Sequence, residues 1–231
     1  VFNNLQRMHY GGSIKNGLKI AKYDNICIID ADGTYSAKNI PVLFNKYKKG
    51  YNMVVGARKG RVYKGSVFKQ FTRWILKRLA EFTTGTKIPD VNSGLRIFSN
   101  KEVQLHLSRI SNTFSFTTSL TLAYLLTGQY VAYYPIDYTK RVGKSKVNII
   151  RDSLRTIQYI VEAILFYNPI KIFILLLVLF VVLSFILMLT GFLTNKLIVS
   201  ILLLYILGNC FIIFTIGLTA VLIKLLFTKY K

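Results

Sequence analysis

Acidic residues are scarce. Nine aspartates and glutamates face 31 lysines and arginines in 231 residues, a formal charge of +22. Histidine and cysteine occur twice each, and tryptophan once. Cys27 and Cys210 sit far apart, each inside an apolar run, so the chain supplies neither a disulfide framework nor a zinc site. No helix-turn-helix, zinc or aromatic-platform motif accompanies the positive charge, which sets nucleic acid aside as a partner. Anionic headgroups or an anionic substrate are left to explain it. Nor is there a signal-peptide pattern at the start, where Asn3, Asn4, Gln6 and Arg7 break any apolar run.

What is present is unevenly spread. The first two thirds are strongly basic and the last third is almost uncharged, the pattern of a soluble domain joined to a membrane segment. Ile172 to Leu189 and Leu197 to Ile223 carry no charge. At about 1.5 Å of rise per residue, each can cross a hydrocarbon core of about 30 Å. Gly191–Lys196 forms a short turn between them, making a hairpin with helices at about 171–192 and 197–224. Lys171 before it and Lys224, Lys229 and Lys231 after it put the basic domain and both termini on the cytoplasmic side. Gly208, Asn209 and Gly217 mark candidate helix contacts, with Asn209 expected to face protein; a homo-oligomer through these helices is left open. Residues 148–166 set Ile150, Leu154, Ile157 and Ile160 on one face and Arg151, Asp152 and Arg155 on the other. This reads as an interfacial helix, with an ordinary surface helix as the alternative. The divisions are therefore 1–147, a juxtamembrane helix at 148–168, and a hairpin at 169–231.

Within the basic part, Ile26-Cys27-Ile28-Ile29-Asp30-Ala31-Asp32-Gly33 is the central stretch. The apolar run reads as a strand buried on both faces, as in a parallel sheet. Asp30 and Asp32 stand at its carboxyl end, where open α/β sheets place ligands. Side chains at i and i+2 share a face in extended chain, so the pair can hold one divalent cation. A simple turn is the competing reading. Residues 12–22 form an amphipathic helix whose Gly11-Gly12-Ser13 start is either a cap packed on the sheet or a phosphate cradle. A helix near 39–48 and a buried strand at 52–56 follow, and the strand–helix–strand order brings Arg58 to the edge that carries Asp30 and Asp32. Residues 59–65 form a basic glycine-rich loop. Residues 66–84 form a helix whose stripe of Val67, Phe71, Trp74, Ile75, Leu79 and Phe82 is read as core, with lipid contact as the alternative.

Asp90 is held at a polar turn before a short strand, and Ser99-Asn100-Lys101-Glu102 has capping-box spacing. A helix at 113–127 and a strand at 129–136 come next, with Pro135 marking the strand as an edge or ending it. The loop Tyr138–Lys146 packs Lys140, Arg141, Lys144 and Lys146 with Gly143 and Ser145. Such a loop can wrap a pyrophosphate or a lipid phosphate, or be a solvated basic loop beside a membrane.

These residues together resemble the family 2 glycosyltransferases, in particular the polyprenyl-phosphate sugar transferases similar to dolichol-phosphate mannose synthase. The resemblance rests on Gly12 to Ala21 before the strand, Asp30-Ala31-Asp32-Gly33-Thr34-Tyr35, Val55-Gly56-Ala57-Arg58, Asp90-Val91-Asn92-Ser93-Gly94-Leu95-Arg96, Phe114-Ser115-Phe116, Arg141-Val142-Gly143-Lys144-Ser145-Lys146 and the hairpin. It implies an α/β GT-A, Rossmann-like catalytic domain over 1–147. It implies inverting transfer of a sugar from a UDP- or GDP-sugar to undecaprenyl or dolichyl phosphate at the cytoplasmic membrane face. Asp30 and Asp32 would bind Mg²⁺ or Mn²⁺ and the donor diphosphate. Arg58 would lie near the phosphates, Asp90 near the transferred sugar, and Arg141, Ser145 and Lys146 would hold phosphate oxygens. A phosphate acceptor is already an anion, which reconciles the scarcity of acids and histidine with catalysis.

The chain departs from the family's pattern at Thr34, where many relatives carry glutamine. It also lacks the family's opening strand and the second strand, so roughly 60–80 preceding residues are expected on the size of a βαβ unit and its neighbours. The Gln-x-x-Arg-Trp run of processive synthases is absent, since the only tryptophan, Trp74, follows Phe71-Thr72-Arg73. A family 2 transferase with another glycolipid or polysaccharide acceptor is the near alternative, and a non-catalytic basic membrane adaptor the distant one.

Overall fold

The computed structural model describes residues 8–60, 67–140, 149–194 and 197–229, with Asn4 and Gln6. Most of the 59–65 loop, the Arg141–Lys146 segment and the tip of the hairpin turn lie outside the described residues. The chain divides into two units, Val1–Ile160 and Val161–Lys231.

The first unit is built on one four-stranded sheet. Its strands are β1 (Asn25–Ile28), β2 (Met53–Lys59), β3 (Arg96–Ser99) and β4 (Val131–Asp137), in the spatial order β1-β3-β2-β4. β3 runs antiparallel to both β1 and β2, while β2 and β4 are parallel. The sheet is therefore mixed. β1 and β2 do share a direction, as strand–helix–strand order requires, but β3 lies between them.

Alternation along the strands sorts the core into two layers. On one face, Met53, Val55 and Phe98 pack with Leu18 of α1 (Tyr10–Ile20) and with Phe116, Leu120 and Tyr124 of a second helix, Phe116–Leu126. On the other face, Val54, Ile97, Ala132 and Ile136 pack with Leu43 of α2 (Asn39–Tyr47) and with Tyr35. Val67–Thr84 is α3, the short helix Asn100–Gln104 is α4, and Phe116–Leu126 is α5. Ser99 caps α4 by accepting a bond from the Glu102 amide at 3.2 Å, as the capping-box spacing foretold.

Several expectations change. Among the described residues β1 has β3 as its one neighbour, with Ile26 and Ile28 leaning on the core while Asn25 and Cys27 are exposed. Gly11 and Gly12 lie inside α1, where their N–H groups donate to the carbonyls of Thr113 and Asn112 at 3.2 and 2.9 Å. A Cβ at Gly11 would overlap the Ser111 carbonyl. These glycines serve close packing of backbone on backbone and do not cradle a phosphate. The stripe on α3, read as core, is exposed at Val67, Phe71, Trp74, Ile75 and Phe82.

The helix α6 (Ile149–Tyr167) crosses the division between the units. In its first half Asp152 and Thr156 are buried, with Thr156 Oγ1 bonded to Ser115 Oγ at 3.0 Å, while Ile150 and Leu154 are exposed. Asp152 was placed on the solvent face by its charge; the Thr156 contact instead turns this edge of the helix inward.

The second unit holds α7 (Ile170–Thr194) and α8 (Leu197–Lys229). Each contains a stretch long and apolar enough to cross a membrane, 22 residues at Ile170–Gly191 and 23 at Ile201–Ile223. Gly217 lets the two helices approach: a Cβ there would sit 2.7 Å from Phe173 Cγ. Gly208 meets nothing nearby, and the half-buried Asn209 donates its side-chain amide to the Tyr205 carbonyl of its own helix at 2.9 Å.

Candidate active site

The topology gathers the candidate residues at one edge of the sheet. Because β3 opposes β1 and β2, the carboxyl ends of β1, β2 and β4 meet the amino end of β3. That edge carries Asp30 and Asp32 after β1, Arg58 near the end of β2, Asp90–Leu95 leading into β3, and Tyr138 and Thr139 after β4.

The carboxylates are held in place by neighbours. Tyr10 Oη donates to Asp30 Oδ1 at 3.1 Å, and burial together with the Asp30 charge raises the Tyr10 pKa, keeping the donor proton on the ring. Gly94 lies so close that a Cβ at this position would overlap the Asp30 carboxylate. Asp32 Oδ1 accepts from the Thr34 amide at 3.1 Å and its hydroxyl at 2.5 Å, an Asx-type turn that fixes the side chain. Thr34 is thus occupied in shaping the carboxylate loop.

Arg58 and Asp90 form a buried fork. Nε and Nη2 of Arg58 donate to Oδ2 and Oδ1 of Asp90 at 2.7 and 2.8 Å, and the Arg58 amide adds a third bond at 3.1 Å. The Asn92 amide also donates to Oδ1, at 3.2 Å. Burial by itself would raise the Asp90 pKa, but the Arg58 charge and these bonds outweigh it and hold the carboxyl below its ordinary range. Asp90 is an anion committed to Arg58 and a poor general base at neutral pH. The Arg58 guanidinium also lies over the Tyr138 ring, 5.4 Å from its centre.

Two further contacts tie the edge together. Tyr35 Oη accepts from the Gly94 amide at 2.8 Å, and its ring meets Tyr138 edge-on at 5.3 Å. Thr139 donates from its amide to the Thr34 carbonyl at 3.1 Å and from Oγ1 to the Gly33 carbonyl at 2.7 Å. The root of the basic loop is therefore pinned beside the Asp30–Asp32 turn. Arg141, Ser145 and Lys146 themselves lie outside the described residues.

Arg96 was not singled out from the sequence as a functional group. It is fully buried, with Nε and Nη2 donating to the Ser93 carbonyl at 3.2 and 2.6 Å and Nη1 to the Thr117 carbonyl and Thr121 Oγ1 at 3.0 and 3.2 Å. Burial lowers its pKa, while Tyr10, Tyr133, Asp90 and Tyr35 oppose the shift. It anchors the Asp90–Gly94 turn to α5. Its position in the Ser93-Gly94-Leu95-Arg96 run was legible, but its burial was not. Tyr10 and Tyr138 gave no signal, since each acts through a partner distant in sequence.

The donor set favours a hard cation. Among the described residues no three His, Cys, Asp or Glu side chains gather into a metal site. Asp30 and Asp32 offer carboxylate oxygens only, which suits Mg²⁺ or Mn²⁺ completing its shell with phosphate and water, and does not suit a closed zinc site.

Residues 1–104 match the model of the family described as glycosyl transferase family 2, a span that includes Asp30, Asp32, Arg58 and Asp90. The glycosyltransferase AglJ of Haloferax volcanii is 27% identical over 131 residues, covering 55% of this chain and 43% of the relative. Glucosyl-3-phosphoglycerate synthase from Mycobacterium tuberculosis, solved with phosphoglyceric acid, superposes with a TM-score of 0.54 at 14% identity, covering 69% of this chain and 56% of that one. The same enzyme with Mn²⁺, UDP-glucose and glycerol 3-phosphate gives 0.52 at 15% identity over 68% and 55%. These likenesses establish a GT-A-like glycosyltransferase fold with a mixed α/β sheet. The chain spans less than two thirds of the length of these relatives.

Proposed function

We propose that the chain is part of a metal-dependent, inverting glycosyltransferase. It moves a sugar from a UDP- or GDP-sugar to a polyprenyl phosphate at the cytoplasmic face of a membrane. The observation that carries this reading is the convergence of Asp30, Asp32, the Arg58–Asp90 fork and the root of the basic loop on one sheet edge. The family 2 match over the same residues supports it, as does a relative of the same fold that binds Mn²⁺ and UDP-glucose.

Asp30 and Asp32 would hold Mg²⁺ or Mn²⁺. When bound, the cation neutralises charge that develops on the nucleoside diphosphate as it leaves. Tyr10, Thr34 and Gly94 set the two carboxylates in advance, so little reorganisation is needed when the donor arrives. Arg58 presents positive charge at the same edge. Asp90 acts through Arg58 as a positioning residue, fixing the guanidinium plane by its two-point contact. The lowered Asp90 pKa fits an acceptor that is already a phosphate anion and needs no strong base. Arg141, Ser145 and Lys146 would hold phosphate oxygens, in the segment that follows the Thr139 contact with Gly33.

The lipid acceptor is inferred from the two apolar helices of the second unit. The phosphoglyceric acid bound by the structural relative favours a second reading, in which a small phosphorylated acceptor takes the sugar. One assay separates them. Purified full-length gene product is given labelled UDP- and GDP-sugars, with polyprenyl phosphate or phosphoglycerate, with and without EDTA. The first reading predicts solvent-extractable labelled lipid that EDTA abolishes. Label on phosphoglycerate alone supports the second, and transfer to neither from any donor contradicts both.

A further inference from the structure

The chain holds two histidines, and the candidate site uses neither. His9 is exposed. His106 lies in the turn that follows α4, wound by amide bonds from His106 to the Val103 carbonyl and from Arg109 to the His106 carbonyl, both 2.9 Å. It is 5% exposed, while its neighbour Leu105 is 73% exposed. The turn therefore sends a titratable ring inward and leaves a leucine outside, against the usual order of burial. Among the described residues neither ring nitrogen of His106 has a hydrogen-bond partner. The ring meets Tyr124 of α5 with centres 5.6 Å apart, tilted by 52°. Tyr124 Oη and Glu102 Oε2 are also buried without a partner among those residues, while Glu102 Oε1 accepts from Asn52 at 2.8 Å. Incompletely bonded polar groups are costly inside a protein, and a fold that keeps them has a reason beyond packing.

Glu102, Arg109 and Tyr124 are the titratable groups around His106, and Tyr47, Asp24 and Arg96 act in turn on Tyr124. Burial and the Arg109 charge lower the His106 pKa, and Glu102 opposes them only in part. Burial keeps the Tyr124 phenol protonated. The closed fold thus holds a neutral imidazole. The residues that follow reach the carboxylate edge. The Ile110 carbonyl accepts from Lys15 Nζ of α1, and the Thr113 and Asn112 carbonyls accept from Gly11 and Gly12. The Ser111 amide is fixed to Ser119 Oγ of α5 at 3.0 Å. Phe114 stacks on Tyr10 with ring centres 6.0 Å apart, and Tyr10 Oη reaches Asp30. One run of chain, His106 to Phe114, links the buried imidazole to the tyrosine that sets Asp30.

We propose that His106 is an acid-operated latch on the Asp30–Asp32 edge. A proton taken up by His106 loosens the 105–113 turn from α5, and α1 then loses the contacts that hold Tyr10 against Asp30. The closed form excludes a proton that the open form binds at about pH 6.5. Closure is therefore undisturbed above that value. It weakens as pH falls below it, by up to about tenfold per pH unit until the lowered His106 value is reached. The effect on cation binding rests on the reading of Asp30 as a cation ligand; the opening of the turn does not.

Hydrogen exchange of the full-length gene product, with His9 replaced by glutamine to silence the titration beside Tyr10, tests this at about pH 7.5 and about pH 5.5. After correction for intrinsic rates, peptides of the 105–113 turn and of α1 should lose about fivefold to tenfold in protection at the lower pH, while those of β2 keep theirs. His106→Phe and His106→Gln cannot take up the proton and should keep their protection. With Mn²⁺ and UDP or GDP, the parent protein should bind the ion more weakly than either variant at the lower pH and equally at the higher. Unchanged protection of the turn in the parent overturns the latch, and that comparison decides without the variants. An equal loss in both variants, or in β2, also overturns it. A loss at the turn with Mn²⁺ binding that matches the variants overturns the link to Asp30. Absence of Mn²⁺ binding at both pH values contradicts the proposed function, and the exchange result then decides the latch alone.

Discussion

Replacing Asp90 by asparagine removes one charge from a buried pair while keeping the shape of the side chain. The carboxylate is 2% exposed and Arg58 13% exposed, with guanidinium contacts of 2.7 and 2.8 Å. At an effective dielectric constant of ~20, opposite charges this close attract by about 6 kcal/mol. Desolvation of the two ions offsets part of that. Leaving one member of a buried pair uncompensated costs about 3–5 kcal/mol, and the partial exposure of Arg58 points to the lower end. Asp90→Asn should therefore destabilise the first unit by about 3 kcal/mol at neutral pH.

The sign of the pH dependence follows from the lowered Asp90 pKa. Its stabilising contribution is fully present above the unfolded value, about 3.9, and is lost as pH falls through the lower folded value. Asp90→Asn should lack this acid limb. Urea unfolding followed by Trp74 emission, on wild type, Asp90→Asn, Arg58→Met and the Arg58→Met/Asp90→Asn double variant, measures the coupling directly. A coupling of at least about 2 kcal/mol is expected. Single effects that add to within about 0.5 kcal/mol, or an acid limb unchanged in Asp90→Asn, would refute the reasoning.

Gly94→Ala should push the Asp30 carboxylate from its position and lower metal-dependent transfer at least about tenfold, equivalent to ~1.4 kcal/mol, with little change in the Trp74 unfolding midpoint. Tyr10→Phe removes one bond to Asp30, worth about 1 kcal/mol, and should raise the metal concentration needed for half-maximal rate while leaving the rate at saturation nearly intact. Arg96→Lys cannot reach the Ser93 and Thr117 carbonyls and Thr121 together, so thermal unfolding should show a loss comparable to that of Arg96→Met.

Local patterns carried much of the architecture. The helix at 67–84 was expected at 66–84, the edge character of β4 followed from Pro135, and the α4 cap followed from Ser99 and Glu102. Orientation was harder. Helical spacing locates an apolar stripe but not what covers it, and α3 has a second, smaller stripe that wins the core. The antiparallel insertion of β3 between β1 and β2 joins strands about 70 positions apart in sequence, beyond the reach of local periodicity. For the same reason the pattern places Arg58 at the edge and Asp90 at a turn without pairing them. Spacing alone leaves Asp30 and Asp32 between a turn and a cation pair; the contacts of Tyr10, Gly94 and Thr139 with this loop span long separations that only the folded sheet closes.

The central claim is that the Asp30–Asp32 edge binds a divalent cation together with a nucleoside diphosphate. Electron paramagnetic resonance of Mn²⁺ titrated into the full-length gene product tests it most directly, with and without UDP or GDP. The account predicts that free Mn²⁺ signal disappears with one ion per chain when the matching diphosphate is present, and that Asp32→Asn abolishes this uptake. Equal uptake of Mn²⁺ and diphosphate by Asp32→Asn and wild type would contradict it.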